Sequence, residues 1–369
     1  MSEKLWYKIA RRFIKASKFP MPINDAVIEI LKMVITEEQA KFLLLLKKPS
    51  YNIDQIKELT DLDDEVLNKM IKDLNHSGAL TAIPSRSTGV IVYRIPPFFP
   101  GMLEFTLMRG ETNDNTKKIA SLWQKFFDKM VKGTQENYDF MMKALKDADV
   151  TIDRVVPVEE EIDIKQEKII PLEEVSKILE ETEKIALMTC YCRHRKDLID
   201  DPCKVTDLRK NCFAFGRSAE YLIRENFAEE ISKEDALKIM KESEDAGLVH
   251  KAFHNALDPM REIEGMCQCC KCCCGTFDNH YAGGIPLLSR STHLAKISEE
   301  DCVGCGTCVE KCNAEAIELN DDNKAEVDEN RCIGCGVCAY HCPEEAITLE
   351  RTDPRNVFVP PPKISENQY

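Results

Sequence analysis

Near the start of the chain, apolar and basic positions recur with helical spacing. Leu5, Trp6, Ile9, Phe13 and Ile14 fall on one face, and Lys4, Lys8, Arg11, Arg12 and Lys15 on the other. The pattern predicts an amphipathic helix within residues 1–22, ended by Pro20 and Pro22. Its apolar face either packs against protein or lies on a membrane surface, as basic amphipathic helices can; packing is the expectation. Helical periodicity returns over Asp25–Val34, Glu37–Leu46, Ile53–Leu59 and Glu65–His76, with Gly78 as a stop. Two apolar runs, Leu80–Ile83 and Val90–Tyr93, flank the turn residues 85–89 and read as a hairpin. Helices followed by a hairpin resemble a winged helix, and the unit is placed at residues 23–110.

The apolar, proline-rich stretch Ile95–Phe105 closes that unit, and helical patterns resume near Lys117–Lys132 and Glu136–Lys146, in a helical linker region at 111–165. Extended segments are expected at Val155–Val158 and Ile162–Ile164, and a helix near Leu172–Glu183. Ile231–Gly247 reads as a helix with Ser232 as N-cap, Asp235 at the capping-box position and Gly247 as its stop. The last residues, 351–369, are polar and proline-rich and are expected to be an extended tail.

Charge changes the picture at both ends. The winged-helix-like unit would read DNA through a helix carrying Asp63, Asp64, Glu65 and Asp73 against only Lys69 and Lys72. Phosphate contacts need positive charge, so no nucleic-acid partner is expected and the unit reads as a packing or docking module. Residues 297–350 hold 14 acidic against 3 basic side chains, a net of −11 out of −14 for the whole chain. An acidic surface of this kind suits a basic docking patch on a partner protein. The longest aliphatic block, Leu43–Leu46, is far too short to cross a bilayer. The N-terminal residues lack the apolar core of a signal peptide, so a cytoplasmic location without membrane contact is expected.

Eighteen cysteines in 369 residues are the strongest chemical signal. Clustered cysteines in a chain of this length without a secretory signal point to metal rather than disulfides. Two stretches, CVGCGTCVEKCNAEAIEL from Cys302 and CIGCGVCAYHCPEEAITL from Cys332, repeat at an offset of 30 residues. Each is C-x2-C-x2-C-x3-C, and residues 296–350 thereby resemble bacterial two-cluster ferredoxins. The resemblance implies a ferredoxin-type βαβ repeat domain holding two [4Fe–4S] clusters. It also implies crossed ligands: Cys302, Cys305, Cys308 and Cys342 for one, Cys332, Cys335, Cys338 and Cys312 for the other. One departure stands out: Pro343 follows Cys342 as that pattern requires, whereas Asn313 follows Cys312.

The other ten cysteines fall in residues 166–295, read as a mostly helical cysteine-rich domain. Cys190, Cys192, Cys203 and Cys212 precede Cys267, Cys269, Cys270, Cys272, Cys273 and Cys274. Ten thiols suffice for one or two further [4Fe–4S] clusters. A C-x-C pair on an extended stretch points both thiols to one side, so Cys190 and Cys192 could share a cluster with Cys203 and Cys212. Shared ligation between the two segments is equally open. Arg193, His194 and Arg195 would either neutralise cluster charge or form a surface patch. His194 and His280 are candidate non-thiolate ligands. Cys190-Tyr191-Cys192-Arg193, the run from Cys267 to Gly275 and the two ferredoxin runs together resemble a group of anaerobe 4Fe–4S binding proteins. That resemblance implies an electron-transfer subunit.

No G-x-G-x-x-G, G-x-x-x-x-G-K-[ST] or H-E-x-x-H motif and no nucleophile constellation is visible. The expectation is an α+β iron–sulfur protein without independent catalysis. It would relay low-potential electrons for a larger oxidoreductase, with a soluble ferredoxin-like donor or acceptor as a further partner. A redox-sensing winged-helix regulator is the alternative.

Overall fold

The computed structural model describes residues 2–17, 21–85, 87–149, 151–162, 174–254 and 263–365. Pro20, Ile164 and Leu172 lie outside them. In chain order the first half comprises helices α1 (Ser2–Ala16), α2 (Asp25–Val34), α3 (Glu37–Leu45), α4 (Ile53–Lys57) and α5 (Asp64–His76), strands β1 (Thr81–Pro84) and β2 (Ile91–Arg94), and helices α6 (Leu103–Leu107), α7 (Asp114–Glu136) and α8 (Tyr138–Asp147). The middle runs through β3 (Asp153–Val156), α9 (Val175–Glu180), β4 (Ile185–Thr189), α10 (Tyr191–Leu198), β5 (Lys210–Phe215), α11 (Gly216–Arg224), β6 (Glu229–Glu230), α12 (Lys233–Asp245), β7 (Val249–His254) and β8 (Ile263–Cys269). The end adds α13 (Gly275–Tyr281), β9 (Leu287–Ile297), α14 (Thr307–Lys311), β10 (Ile317–Leu319), β11 (Ala325–Val327), α15 (Val337–Tyr340) and β12 (Ile347–Val359). The class is mixed α+β.

The chain divides into two compact units, one of residues 1–130, 188–202 and 217–229, the other of 131–187, 203–216 and 230–369. In the first, the apolar stripe of α1 is consumed by the unit's own core. Trp6, Ile9, Ala10 and Phe13 are buried together with Val27, Ile30, Leu31 and Leu43. Helix starts are fixed by side-chain caps: Asn24 accepts from the Val27 N–H, and Thr36 with Gln39 and Asn52 with Gln55 close reciprocal capping boxes. Each such cap stabilises its helix by roughly 1 kcal/mol. β1 and β2 pair antiparallel, and Tyr51 bridges to Tyr93 at the edge of that hairpin. The outward face of α5 shows Asp64, Glu65, Lys69, Lys72 and Asp73, and Lys57 pairs with Asp64 at 2.7 Å.

The second unit is organised by an eight-stranded sheet in the order β12-β9-β3-β7-β8-β5-β4-β6. Of its assigned pairings, β3 with β9 is parallel, and β12–β9, β3–β7, β7–β8 and β8–β5 are antiparallel. Alternation along each strand sorts side chains to two faces. Val156, Phe213, Phe215, Ala252 and Met266 enter one core with Val175, Leu179, Ala236 and Met240, from helices α9 and α12. Their neighbours Val155, Val249, Cys267 and Cys269 enter the other core, which also holds the ferredoxin cysteines. α12 keeps its expected ends: Ser232 accepts from the Asp235 N–H, and Gly247 takes a left-handed φ of 77°.

The tail is not a free extension. Residues 351–359 continue β12 along β9, as far as the Val359↔Leu287 pairing. Beyond it, Gln135 donates to the Pro362 carbonyl at 3.0 Å and accepts from the Ile364 N–H at 3.1 Å, and Lys363 pairs with Asp139 at 2.9 Å. Among the described residues no helix is long and apolar enough to cross a membrane.

Candidate iron–sulfur and metal centres

Each ferredoxin run folds as a loop followed by one short helix, α14 or α15, with Gly306 and Gly336 at their N-caps in the left-handed region. Gly334 also has positive φ, 63°, and a Cβ there would collide with the His293 carbonyl of β9. Loop and sheet therefore approach more closely than any other residue permits. Cys302, Cys305, Cys308 and Cys342 line one pocket, together with Gly304, Gly306 and Leu319. The fourth ligand thus comes from the other run. The converse set is drawn together too: Cys335 lies in the electrostatic field of Cys312 and Cys332, and Cys338 in that of Cys335, Cys312 and Cys332. Four thiol sulfurs around one cavity fit the donor chemistry of iron. Backbone donors point at sulfur, with the Ala316 N–H at 3.2 Å from Cys312 Sγ and the Ala325 N–H at 3.5 Å from Cys302 Sγ.

The two ferredoxin loops differ in exposure although their sequences repeat. Val303 is 59% exposed and its counterpart Ile333 only 2%. Cys305 is exposed, and its thiol is held below the ordinary range by the Thr307 hydroxyl and N–H. Burial pushes Cys335 up to about 12 and Cys338 well above the ordinary thiol value. The Val158 N–H closes over the inner loop by donating to the Cys335 carbonyl at 3.0 Å.

Two groups of central cysteines are brought together in the second unit. Cys203 leaves its loop to meet Cys270, Cys272 and Cys273. Sulfur–sulfur distances are 3.8 Å for Cys203–Cys270, 3.7 Å for Cys203–Cys272, 3.7 Å for Cys270–Cys272 and 3.5 Å for Cys272–Cys273. Thiols of Cys270, Cys272 and Cys273 donating to Cys203 hold it far below the ordinary range, while Cys273 is pushed up by Cys203, Cys270 and Cys272.

A second set forms on the cysteine-bearing face of the sheet. The register Phe213↔Met266 sets Cys212 opposite Cys267. Side-chain hydrogen bonds link Cys267 to both Cys212 and Cys269, and Cys274 Sγ lies 3.2 Å from Cys269 Sγ. Sequence reasoning missed the cation beside them. Lys251, 1% exposed on β7, pairs with Asp153 at 3.0 Å and reaches the Thr276 hydroxyl at 3.2 Å. Burial alone would push its ammonium down, but Asp153, Cys274 and Cys269 outweigh burial and hold it up. A lone lysine in an apolar strand offers no spacing signal.

Cys190 and Cys192 lie in the first unit. They do not alternate on one strand, because α10 begins at Tyr191 with Cys190 as its N-cap. Arg193, His194 and Arg195 are buried, which removes the surface-patch reading. Within that unit His194 Nε2 meets the Glu111 carbonyl at 2.9 Å, and the Arg195 guanidinium lies over the Phe127 ring at 5.0 Å. In the second unit, His280 is buried with Nδ1 at 3.1 Å from the Ile285 carbonyl, and burial lowers its pKa to about 4, so its ring is neutral.

Asn313, the departure from the ferredoxin pattern, is buried and works as a clamp. Its Oδ1 accepts from the Lys271 N–H at 2.9 Å, its Nδ2 donates to the Gly247 carbonyl at 2.9 Å, and its own carbonyl accepts from the Tyr281 hydroxyl at 2.8 Å. Proline there would supply none of the side-chain bonds. The residue ties the ferredoxin loop to the Cys270–Cys273 loop.

Comparison with known proteins agrees with this geometry at the C-terminus. Residues 295–349 match the family model described as 4Fe-4S dicluster domain. A curated protein named "Probable ferredoxin" from Methanosarcina thermophila is 53% identical over 32 residues, 9% of this chain. The chain spans 55% of that relative's length. Residues 295–349 are therefore a ferredoxin-type 4Fe-4S dicluster domain.

Proposed function

We propose that this chain is an iron–sulfur electron-transfer protein that passes low-potential electrons to or from a larger oxidoreductase. When bound, the two [4Fe–4S] clusters supply reversible one-electron chemistry. Cys302, Cys305, Cys308 and Cys342 hold the outer one near the surface. Cys332, Cys335, Cys338 and Cys312 hold the inner one against β9 and Val158.

The observation that carries the reading is the interlocked pair of tetrads, with Cys338 also in the field of Cys308 of the other set. Redox centres held this close exchange electrons readily. The second central set, Cys212, Cys267, Cys269 and Cys274, is the candidate for a further iron–sulfur centre, in which the Cys269 and Cys274 sulfurs stand close enough to share one metal. Cys267, Cys269 and Cys274 pack into the same core as the ferredoxin ligands, which supports a path from the inner ferredoxin cluster into the sheet. The Lys251 ammonium offsets negative charge there and favours the reduced state.

The outer loop with its exposed Cys305 and acidic surroundings is the docking face for a soluble redox partner carrying a basic patch. The first unit serves as a winged-helix-like docking module, since the acidic outward face of α5 repels nucleic acid. Anaerobic purification from the source organism with identification of co-purifying proteins tests the partner. Recovery of a larger redox enzyme supports the reading, and a chain that elutes alone at native abundance overturns the subunit role.

A further inference from the structure

We propose that Cys203, Cys270, Cys272 and Cys273 together bind one zinc ion, in a closed structural site separate from the electron path.

Nuclearity is read from the spacing of the sulfurs. Four thiolates placed tetrahedrally at ~2.3 Å from one zinc stand ~3.8 Å from each other. Four of the six separations in this set are 3.5 to 3.8 Å, close to that value, and all six lie within 4.8 Å. In a cubane each thiolate binds a different iron, so the ligand sulfurs must spread around the whole cluster. Among the described residues this tetrad is the one group of potential metal-binding side chains whose donor atoms all lie within 4.8 Å of one another. The ferredoxin tetrads are not drawn in so far, since neither brings its four donor atoms within 4.8 Å of one another.

Alternative uses of the four thiols fit less well. All four are free cysteines, and a disulfide would join two sulfurs at ~2.0 Å and leave the other two without a reason to converge. Four protonated thiols gain little from meeting at one point. A cation that replaces their protons gains a great deal, and binding releases those protons.

The surroundings indicate a structural role. Pro202 to Arg209 contains no helix or strand, and Val205 within it is 40% exposed. Few apolar side chains anchor this loop, yet it must hold its place beside β5, where Cys212 sits. Cys203 joins only a small cluster made by Leu248, Cys270 and Cys273, with Ala246 and Cys272 at its edge. Backbone N–H groups of Val205 and Lys204 bond the sulfurs of Cys203 and Cys272 and further favour their ionised forms. All four positions around the ion come from protein, which leaves none open to substrate, as in structural zinc sites. The ion would clip the loop to the segment that Asn313 holds against the ferredoxin domain.

The test uses the full chain, purified anaerobically from cells supplied with both zinc and iron. Elemental analysis should find about one zinc per chain, and the zinc X-ray absorption spectrum should show a single shell of four sulfurs at ~2.3 Å with no metal neighbour. Cys203→Ser should lower bound zinc at least fivefold while iron and inorganic sulfide stay unchanged. Loss of about four irons and four sulfides from Cys203→Ser would establish a cubane and overturn the proposal. A single sulfide-free iron in the site, or zinc retained at full stoichiometry in the variant, would overturn it equally. If Cys203→Ser does not fold, the spectrum of the unmodified protein still decides. None of these readouts depends on electron transfer, so the proposed relay can fail while the zinc site stands, and the reverse.

Discussion

The ferredoxin domain and the central cysteine block use similar numbers of thiols in opposite ways. In the former, glycine-bearing loops wrap a cavity, and each run lends its fourth cysteine to its neighbour. In the latter, three thiols from one four-residue stretch are met by Cys203, 67 residues before Cys270, at separations that suit one ion. Cysteine count and spacing along the chain therefore tell how many ligands exist. Only the distances between sulfurs tell how many metals they share.

The largest effects should come from breaking the crossed ligation. Cys312→Ala should remove the inner ferredoxin cluster and Cys342→Ala the outer one, about four irons each. The double variant Cys302→Ala/Cys342→Ala should lose no more iron than either single variant, whereas Cys302→Ala/Cys312→Ala should lose about eight. The reverse order, about eight irons lost from Cys302→Ala/Cys342→Ala and about four from Cys302→Ala/Cys312→Ala, would mean that each run holds its own cluster.

Next in size is the buried ion pair beside the second central set. Lys251→Met leaves Asp153 buried without its cation, and denaturant titration should show a loss of about 3–5 kcal/mol. Adding Asp153→Asn should recover part of that loss, as expected for a coupled pair. Strictly additive losses would show that the pair is not coupled.

Exposure separates the two ferredoxin clusters in a milder way. With an iron chelator, iron should leave first from the site of the exposed Cys305. The remaining cluster should be the one lost in Cys332→Ala. Simultaneous loss would contradict the difference between Val303 and Ile333. The smallest effect concerns the clamp. Asn313→Ala removes the bonds to Lys271 and Gly247 and should cost about 1–3 kcal/mol while leaving iron content intact.

The eight ferredoxin cysteines were legible in the sequence because each loop's ligands are local, and a 30-residue repeat exposes the pattern. α12 was legible for the same reason, its Ser232 cap and Gly247 stop being adjacent to what they end. The central sets were not, because their partners meet only through tertiary structure. Cys212 faces Cys267 through strand register, and Cys203 meets Cys272 through a loop without periodicity. Two C-x-C pairs that look alike also fold differently: Cys267 and Cys269 share a strand face, while Cys190 sits before a helix that begins at Tyr191. The tail read as extended, but its pairing partner β9 ends more than 50 residues earlier, so its place in the sheet left no local trace.

The relay rests on two clusters held close enough to sense each other. Electron paramagnetic resonance of the dithionite-reduced full chain tests this most directly. The account predicts two reduced [4Fe–4S] signals broadened by mutual magnetic coupling, which collapse to one sharp, uncoupled spectrum in Cys312→Ala. A protein that shows no such signal, or one whose spectrum is unchanged by that substitution, would contradict it.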